Sequence, residues 1–472
     1  MADEHAQLVI IGAGPGGYGA AFEAADLGLD VVLIDPEPDP GGVCLFRGCI
    51  PSKALLHIAR VIRETREVSR AGVHFEPPEI DVDKLRGWKD SVVQKLTRGV
   101  GYLSDQRNIR HIRGRARFFG PYEVEISFED SDDTRKMTFD QAIIATGSSS
   151  VELPDLPFDG RRILSSTEAL DLPTLPDHLL VVGGGYIGLE MATAYSAFGS
   201  DVTVVEATPD LLPGADRELV KPLSKRLRRQ LKEVRLSSKV IDATTKDDRL
   251  EVTVSAEGQS EDQTLLVDSI LVAVGREPRS GDLGLERTRI EVDPYGFIAV
   301  DQERRTTERH IFAIGDVVAE PMLAHKATHE GIIAARVIAG RDDIFAPHAI
   351  PAVVFTDPEI AWCGLTERQA EKEGRPIKIG RFPWVASGRA ATLGRTEGIT
   401  KIIADASTHQ ILGVGICGPH AGELIAEATL AVEMAARAED LAATIHPHPT
   451  LSETLMEAAE DIIGNSTHLG AR

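Results

Sequence analysis

Two stretches of the sequence repeat one order of features: an apolar run, a glycine-rich turn, an alanine-rich run, and a second apolar run that ends in an acid. The first copy starts with Leu-Val-Ile-Ile at residue 8, continues through Gly-Ala-Gly-Pro-Gly-Gly at 12–17, and ends at Asp35. Gly12 permits the tight turn, Gly14 lets a pyrophosphate approach the backbone, and Gly17 lets the helix pack on the sheet. The pattern predicts a strand–helix–strand unit that binds a dinucleotide at a helix N-terminus.

The second copy spans residues 179–206 and carries its glycines at Gly183, Gly185 and Gly188. Its terminal acid, Glu206, follows Gly188 by 18 residues, the same spacing that separates Asp35 from Gly17. Two copies predict two dinucleotide sites in one chain. A carboxylate at position 206 accepts a hydrogen bond from a free ribose 2′-hydroxyl and repels a 2′-phosphate, which favours NAD over NADP.

A pair of cysteines lies between the copies, in the stretch 41–53. Cys44 and Cys49 are five positions apart, so a helix here would place both sulfurs on one face, close enough to bond. A disulfide closing so short a loop stabilises little, and redox cycling explains it better. Two reduced cysteines, or half of a metal site, are the alternatives. Cys363 and Cys417 are too far apart to complete a zinc pattern, so no metal is expected.

Composition excludes several classes of protein. The net charge of −22 and the 5% aromatic content make nucleic acid an unsuitable partner. An acidic surface could instead bind a basic protein partner. Four cysteines in 472 residues are too few for a secreted disulfide framework. No signal peptide and no apolar run of about 18 residues is visible. We therefore predict a cytoplasmic protein, or one of an organelle matrix.

Two polar sites lie in the second half of the chain. Asp316 follows the short apolar run 311–314, where a carboxylate suits a ribose or ribityl hydroxyl, although an ordinary turn also uses Asp. The stretch His-Pro-His-Pro-Thr-Leu-Ser-Glu at 446–453 forms a rigid corner in which Glu453 can orient His448 and raise its basicity. Two ordinary loop histidines are the alternative.

Eight motifs together resemble the dihydrolipoamide dehydrogenases of the flavoprotein disulfide reductase group, and the resemblance runs from Gly12 to Glu453. The motifs are GAGPGG, GGVCLFRGCIPSKALL, ATGS, GGGYIGLE, VGREP, FAIGDV, MLAHKA and HPHPTLSE. The resemblance implies an α/β fold with two Rossmann-like domains, for FAD and NAD, and a C-terminal α+β dimerisation domain. We expect an FAD-binding domain at 1–150, an NAD-binding domain at 151–278, a central domain completing the FAD site at 279–348, and an interface domain at 349–472.

The resemblance also implies which residues bind the cofactors. Those expected at FAD are Gly12, Gly14, Gly17, Asp35, Lys53, Gly114, Thr146, Gly147, Ser148, Asp316, Met322, Leu323, Ala324 and His325. Those expected at NAD are Gly183, Gly185, Gly188, Glu206, Val240 and Gly275. Glu190, counted with the cofactor residues, is expected to pair with Lys53 near the flavin.

The activity that the resemblance implies is oxidation of protein-bound dihydrolipoamide to lipoamide with reduction of NAD+. Cys44 would exchange with substrate, Cys49 would lie against the flavin, and His448, oriented by Glu453, would act as base on the other subunit of a homodimer. The implied partners are the lipoyl domain and the peripheral binding segment of a 2-oxo acid dehydrogenase acyltransferase, since such enzymes are the shared third component of those complexes. No nucleic acid or membrane span is expected.

Three alternatives remain, two of them other enzymes and the third a protein of a different class. A glutathione-type reductase would need NADP-binding arginines near Glu206, and a mercuric reductase would need further C-terminal cysteines. A catalytically vestigial flavoprotein subunit would not need the intact cysteines and His448.

The chain departs from the family's usual pattern at two places. Phe46-Arg47 replaces the family's usual Asn-Val, and Asp35 replaces a Glu. Arg47 would lower the thiol pKa values, alter the substrate channel, or point to solvent.

Overall fold

The structure is a computed structural model that describes residues 4–129 and 131–470. The strands are β1 Glu4–Ile11, β2 Val31–Asp35, β3 Arg110–Arg113, β4 Arg115–Gly120, β5 Glu123–Phe128, β6 Ser131–Ile144, β7 Ser148–Ser150, β8 Ile163–Leu164, β9 His178–Val182, β10 Asp201–Val205, β11 Glu233–Arg235, β12 Ser238–Lys246, β13 Arg249–Ala256, β14 Gln263–Val267, β15 Ser269–Val272, β16 Arg276–Pro278, β17 Ile311–Ala313, β18 Ala352–Val354, β19 Glu359–Gly364, β20 Ile377–Pro383, β21 Ile399–Asp405 and β22 Ile411–Gly418.

The α-helices are α1 Pro15–Asp26, α2 Gly42–Arg47, α3 Cys49–Glu67, α4 Val82–Gln106, α5 Ser166–Asp171, α6 Tyr186–Phe198, α7 Arg217–Gln230, α8 Ala324–Ile338, α9 Glu367–Glu373, α10 Gly388–Thr392, α11 Ala421–Glu433, α12 Ala438–Ala443 and α13 Glu453–Ile463. Short 3-10 helices lie at Val68–Ala71, Leu285–Arg287, Gly315–Val317 and Trp384–Ala386.

The first sheet is built around β1, which runs parallel to β2 on one side and to β6 on the other. Residues 8–11 and 31–35 are buried throughout, as expected for parallel strands that are covered on both faces. Helix α1 packs against α8, and both cover this sheet with small residues such as Ala20, Ala24 and Ala334. The carboxyl ends of β1, β2 and β6 therefore meet at one edge.

Strand β6 is long and changes its pairing partners along its length. Its first half pairs antiparallel with β5, and its second half pairs parallel with both β1 and β17. Residues 131–136 are exposed and polar, which is why they carry no strand signal. Strand β17, from much later in the chain, thus places the Gly315–Val317 turn at the same edge as the first glycine-rich turn.

The second sheet repeats this plan. Its order is β11-β10-β9-β15-β8 and all its neighbours are parallel. Helix α6 follows β9 as α1 follows β1, and an antiparallel sheet, β12-β13-β14, packs beside it.

The last sheet is antiparallel, in the order β18-β19-β22-β21-β20. Helices α11 and α13 cover it, and Trp384 is fully buried in the core between them. The predicted fold class is confirmed: two dinucleotide-binding units precede a C-terminal α+β unit. The bounds of the four predicted domains stay predictions. Along 4–129 and 131–470, none of the helices combines the length and apolar character that crossing a bilayer requires.

Candidate active site

Cys44 and Cys49 form a disulfide, with their Cα atoms 4.8 Å apart. The sequence predicted that both cysteines lie on one helix. Instead, the helix is interrupted at Gly48, so Cys44 lies on α2 and Cys49 on α3. A Cβ on Gly48 would lie 2.9 Å from the Val43 carbonyl oxygen, so only glycine lets the two helices approach this closely. The break places Cys49 at the first position of α3.

The surroundings of Cys49 favour a thiolate. The backbone N–H groups of the first turn and the positive end of the helix dipole lie at the start of α3, and no side chain caps them; Pro51 occupies this first turn. Lys53 follows in the next turn, with its ammonium 4.6 Å from the centre of the Phe355 ring. A cation and a helix N-terminus both lower the pKa of a thiol.

Glu190 joins this helix to two other parts of the chain. Its carboxylate accepts from Lys53 Nζ at 2.8 Å and from Ser52 Oγ at 3.0 Å, and its second oxygen accepts from the Phe355 N–H at 3.0 Å. The side chain is 3% exposed. The predicted pair with Lys53 is present, whereas the contributions of Ser52 and Phe355 carry no sequence signal because they come from tertiary packing.

The first glycine-rich turn has the shape that a pyrophosphate needs. A Cβ on Gly12 would lie 2.4 Å from the Ala145 carbonyl oxygen, yet no atom lies within 4 Å of a Cβ built on Gly14. Gly14 caps α1 without a side-chain hydrogen bond, which leaves the helix N-terminus free for phosphate. Asp35 accepts from the N–H groups of Ala13 at 2.7 Å and Glu37 at 2.9 Å. Burial raises the pKa of Asp35, although the Ala13 donor and nearby positive charges oppose it.

The second turn has the same geometry. Space over Gly185 is open, and Glu206 accepts from the N–H groups of Gly184 and Thr208, each at 2.6 Å. The acids of both repeats thus bind the second residue of their own glycine turn and the residue two positions after themselves. These turns fit two dinucleotides.

Ser148 and Asp316 meet at the edge where β6 and β17 end. Ser148 Oγ donates to Asp316 Oδ2 at 2.5 Å, and Arg276 Nε donates to Ser148 Oγ at 2.8 Å. No role at this site was predicted for Arg276 from the sequence, although Arg276 lies within the motif VGREP. Strand pairing of β7 with β16 brings Arg276 here from the second unit.

The other predicted cofactor residues lie on several elements. Gly114 donates to the Asp35 carbonyl at 3.0 Å, Thr146 and Gly147 connect β6 to β7, and Met322–Leu323 lead into α8, which starts at Ala324 and His325. Val240 lies at a bulge in β12, and Gly275, with a φ of 151°, lies between β15 and β16.

His448 and Glu453 form the predicted pair. His448 Nδ1 donates to Glu453 Oε1 at 2.8 Å, and the Thr450 N–H donates to Glu453 Oε2 at 2.8 Å. Burial opposes ionisation of Glu453, but these two donors outweigh it and lower the pKa of this carboxyl. With Nδ1–H fixed, the His448 Nε2 lone pair is free to accept a proton.

His448 is 75% exposed in the single chain. Among the hydrogen bonds and ion pairs of residues 4–129 and 131–470, none connects the His448–Glu453 pair to the disulfide.

Arg47 does not point freely into solvent. Its guanidinium contacts the Glu37 carboxylate, on the segment that follows β2, and the Phe46 ring packs against Gly41. The charge of Arg47 is therefore engaged by a carboxylate near the first glycine turn.

Family models match almost the whole chain. The model described as pyridine nucleotide-disulphide oxidoreductase matches residues 6–331, and its dimerisation domain matches residues 350–459. The chain belongs to the pyridine nucleotide-disulphide oxidoreductase family.

Among curated proteins, the similar relatives are dihydrolipoyl dehydrogenases. The chain is 46% identical to that of Vibrio cholerae over 98% of this chain and 97% of the relative, and 46% identical to that of Thermus scotoductus over 98% of each. The corresponding protein of Haloferax volcanii is 42% identical over 98% of this chain and 97% of the relative.

Two solved structures have the same fold. LpdA from Mycobacterium tuberculosis superposes with a TM-score of 0.89 at 28% identity, covering 97% of this chain and 99% of that one. The Cu(II) complex of the HOCl-induced flavoprotein disulfide reductase RclA from Escherichia coli superposes with a TM-score of 0.84 at 29% identity, with the same coverage. The family and its relatives establish an NAD-dependent oxidoreductase that uses FAD and forms a homodimer.

Proposed function

We propose that the protein is a dihydrolipoyl dehydrogenase, which oxidises dihydrolipoamide to lipoamide and reduces NAD+ to NADH. The observation that carries the proposal is the Cys44–Cys49 disulfide at the start of α3. A bond in so short a loop stabilises little, and its position beside a helix N-terminus and Lys53 suits thiol exchange. The full-length similarity to dihydrolipoyl dehydrogenases supports this substrate.

The thiol chemistry uses His448 and the two cysteines. His448 Nε2 takes the proton of one substrate thiol, because a free thiol has a pKa near about 8.5 and is mostly protonated at pH 7. The resulting thiolate attacks Cys44 Sγ, the Cys44–Cys49 bond breaks, and Cys49 leaves as thiolate. The second substrate thiol passes its proton to Cys44 as its sulfur closes the lipoamide disulfide. Two electrons and two protons have then moved from substrate to protein.

FAD and NAD fit the two glycine-rich turns. FAD would be held by Gly12–Gly17, Asp35, Ser148 and Asp316, and NAD by Gly183–Gly188 and Glu206. The chemistry that bound FAD supplies is acceptance of the electron pair from the reduced cysteines and its delivery as hydride to NAD+. The reaction then yields lipoamide, NADH and one proton.

The base is supplied by the other subunit of the homodimer in this proposal. The His448 side chain is exposed in a single chain. The Glu453 carboxylate of the same chain binds its Nδ1, which leaves Nε2 available to a neighbouring subunit. A site assembled from two chains explains why an exposed histidine is nevertheless fixed by a carboxylate.

The further partner is the acyltransferase core of a 2-oxo acid dehydrogenase complex, through its lipoyl domain and its peripheral binding segment. The net charge of −22 suits a basic segment. Affinity for the isolated segment should then fall as salt rises, and affinity independent of salt would contradict a charge-based contact. We also propose that the protein is located in the cytoplasm.

The activity test compares two assays on purified holoprotein. The first is oxidation of dihydrolipoamide with NAD+, and the second is reduction of a dye by NADH, which does not use the thiols. We expect His448→Asn to slow the first assay by about 10²- to 10⁴-fold at pH 7 and to leave the second nearly unchanged.

A matched control is His409→Asn, because His409 also pairs through Nδ1 with a carboxylate, Glu439, at 2.7 Å. It should leave both assays unchanged. Turnover of glutathione disulfide with NADPH in place of dihydrolipoamide with NAD+, or no thiol turnover at all, would refute the proposed activity.

A further inference from the structure

The segment that carries His448 is exposed apart from one side chain. Among residues 443–449, all of which the structure describes, every residue is exposed except His446. Ile445 is 95% exposed, whereas the His446 side chain is 4% exposed. The His446 imidazole, two positions before His448, is thus buried against the rest of the chain.

Both ring nitrogens of His446 are hydrogen-bonded. Nδ1 lies 2.9 Å from the Thr444 carbonyl oxygen, and Nε2 lies 2.9 Å from Glu427 Oε1. A carboxylate oxygen only accepts, so Nε2 is the donor in the contact with Glu427. The contact with Glu427 is a charge-assisted hydrogen bond to a side chain that is 35% exposed.

Glu427 provides a rigid support. It lies on α11, which packs through Ile425, Ala428 and Ala431 on the C-terminal sheet. Within one chain this segment has little packing of its own, so the hydrogen bond to a packed helix fixes the backbone that the chain presents to the other subunit.

The connection from His446 to His448 is short and stiff. Pro447 lies between them with its φ fixed by the ring, and its carbonyl accepts from Thr450 Oγ1 at 2.7 Å. The Thr450 N–H in turn donates to Glu453. The segment is therefore held at His446 on one side of His448 and at Glu453 on the other.

We infer that His446 is a positioning residue, which through its contact with Glu427 sets where His448 stands relative to the disulfide that it serves. Glu453 fixes the rotation of the His448 ring, and His446 fixes the backbone that carries it. This inference rests on the proposed function, because it assigns His446 to the thiol half of that reaction.

The test removes the support and leaves both histidines in place. Glu427→Ala should lower kcat for dihydrolipoamide oxidation by about ten- to a hundredfold, the order of loss that a small misplacement of a reacting group causes. Glu427→Gln should restore most of the rate, because its amide oxygen still accepts from His446 Nε2. Reduction of a dye by NADH should stay within about twofold of wild type in both variants, since it bypasses His448.

A matched control is Glu423→Ala, an exposed glutamate one turn earlier on α11. It should leave both assays unchanged. The pH dependence of dihydrolipoamide oxidation should keep its wild-type shape in Glu427→Ala, because the His448–Glu453 pair is intact and only its position has changed.

Two results would overturn the inference while leaving the proposed function standing: an unchanged rate in Glu427→Ala, or an equal fall in both assays, which would mean a general structural role. A wild-type protein that does not oxidise dihydrolipoamide would instead refute the proposed function itself.

Discussion

Lys53 of α3 donates to Glu190 of α6 at 2.8 Å, and this contact joins the helix of the redox disulfide to the second dinucleotide-binding unit. Glu190 is nearly inaccessible, so its charge depends on the donors it meets. Two of those donors, Ser52 Oγ and the Phe355 N–H, are neutral, and Lys53 is the cation among them. The ammonium of Lys53 thus stabilises a buried carboxylate, and Lys53 itself follows Cys49 by one helical turn.

Replacement of Lys53 should lower the stability of the protein through Glu190 and the reactivity of the thiol through Cys49. Lys53→Met leaves Glu190 with neutral donors, and we expect the free energy of unfolding to fall by about 1–3 kcal/mol, as measured by urea denaturation of the holoprotein. Alkylation of the reduced protein by iodoacetamide at pH 7 should slow, because the Cys49 thiolate loses a nearby positive charge.

Lys84→Met is the control for this variant. Lys84 pairs with Asp81 at 2.9 Å but is 86% exposed, so its removal should leave the urea midpoint nearly unchanged. Equal effects of the two substitutions would show that the Lys53–Glu190 contact is an ordinary surface pair.

The charge of Glu206 should determine the choice of nucleotide. Glu206→Gln keeps one oxygen as acceptor for the Gly184 N–H but removes the repulsion of a 2′-phosphate. We expect the preference for NAD+ over NADP+, measured as the ratio of kcat/KM values, to shrink by about ten- to a hundredfold.

Asp35→Asn offers a matched comparison, since Asp35 holds the equivalent position in the first repeat. It should weaken retention of FAD and leave the NAD+/NADP+ preference unchanged. If Glu206→Gln leaves that preference as in wild type, the assignment of the second turn to NAD is wrong.

A cluster of ion pairs joins four parts of the chain, and it predicts a stability that depends on pH. Arg226 of α7 donates to Asp357 at 2.7 Å and contacts Glu67 of α3, while Arg395 also contacts Asp357. Burial opposes ionisation of Asp357, but Arg395 and Arg226 outweigh it, so the pKa of Asp357 lies below its usual value of 3.8.

Because the folded pKa of Asp357 is below the unfolded one, its contribution to stability is fully present at neutral pH. It is lost as the pH falls below 3.8 and through the lower folded pKa. Asp357→Asn should therefore cost about 3 kcal/mol at pH 7, and the difference between the urea midpoints of variant and wild type should begin to shrink as the pH falls below 3.8. A difference that stays constant from pH 7 to pH 3 would contradict this assignment.

The sequence predicts the two dinucleotide-binding units well, because the residues that define each unit are close together in the sequence. The apolar runs, the glycines and the acids of both repeats lie within about 30 residues, and strand, turn and helix follow directly from their order. The His448–Glu453 pair is also local, five positions apart on either side of a proline-fixed corner.

The sequence does not predict contacts that tertiary packing creates. Strand β17 joins β6 from more than 150 residues away, and Arg276 reaches Ser148 only because β16 pairs with β7. The break at Gly48 was missed because Cys44 and Cys49 also fit the spacing of one continuous helix. The donors at Glu190 come from α3 and from the segment at Phe355, which no periodicity connects.

The central claim, that Cys44 and Cys49 form a redox couple that exchanges electrons with FAD, is tested most directly by anaerobic reductive titration of the purified holoprotein. The account predicts uptake of about four electrons per chain in the wild type, two for the disulfide and two for FAD. Cys44→Ser should retain FAD and take up about two. Wild-type protein that accepts only about two electrons, or a Cys44→Ser variant that accepts as many as wild type, would contradict the claim.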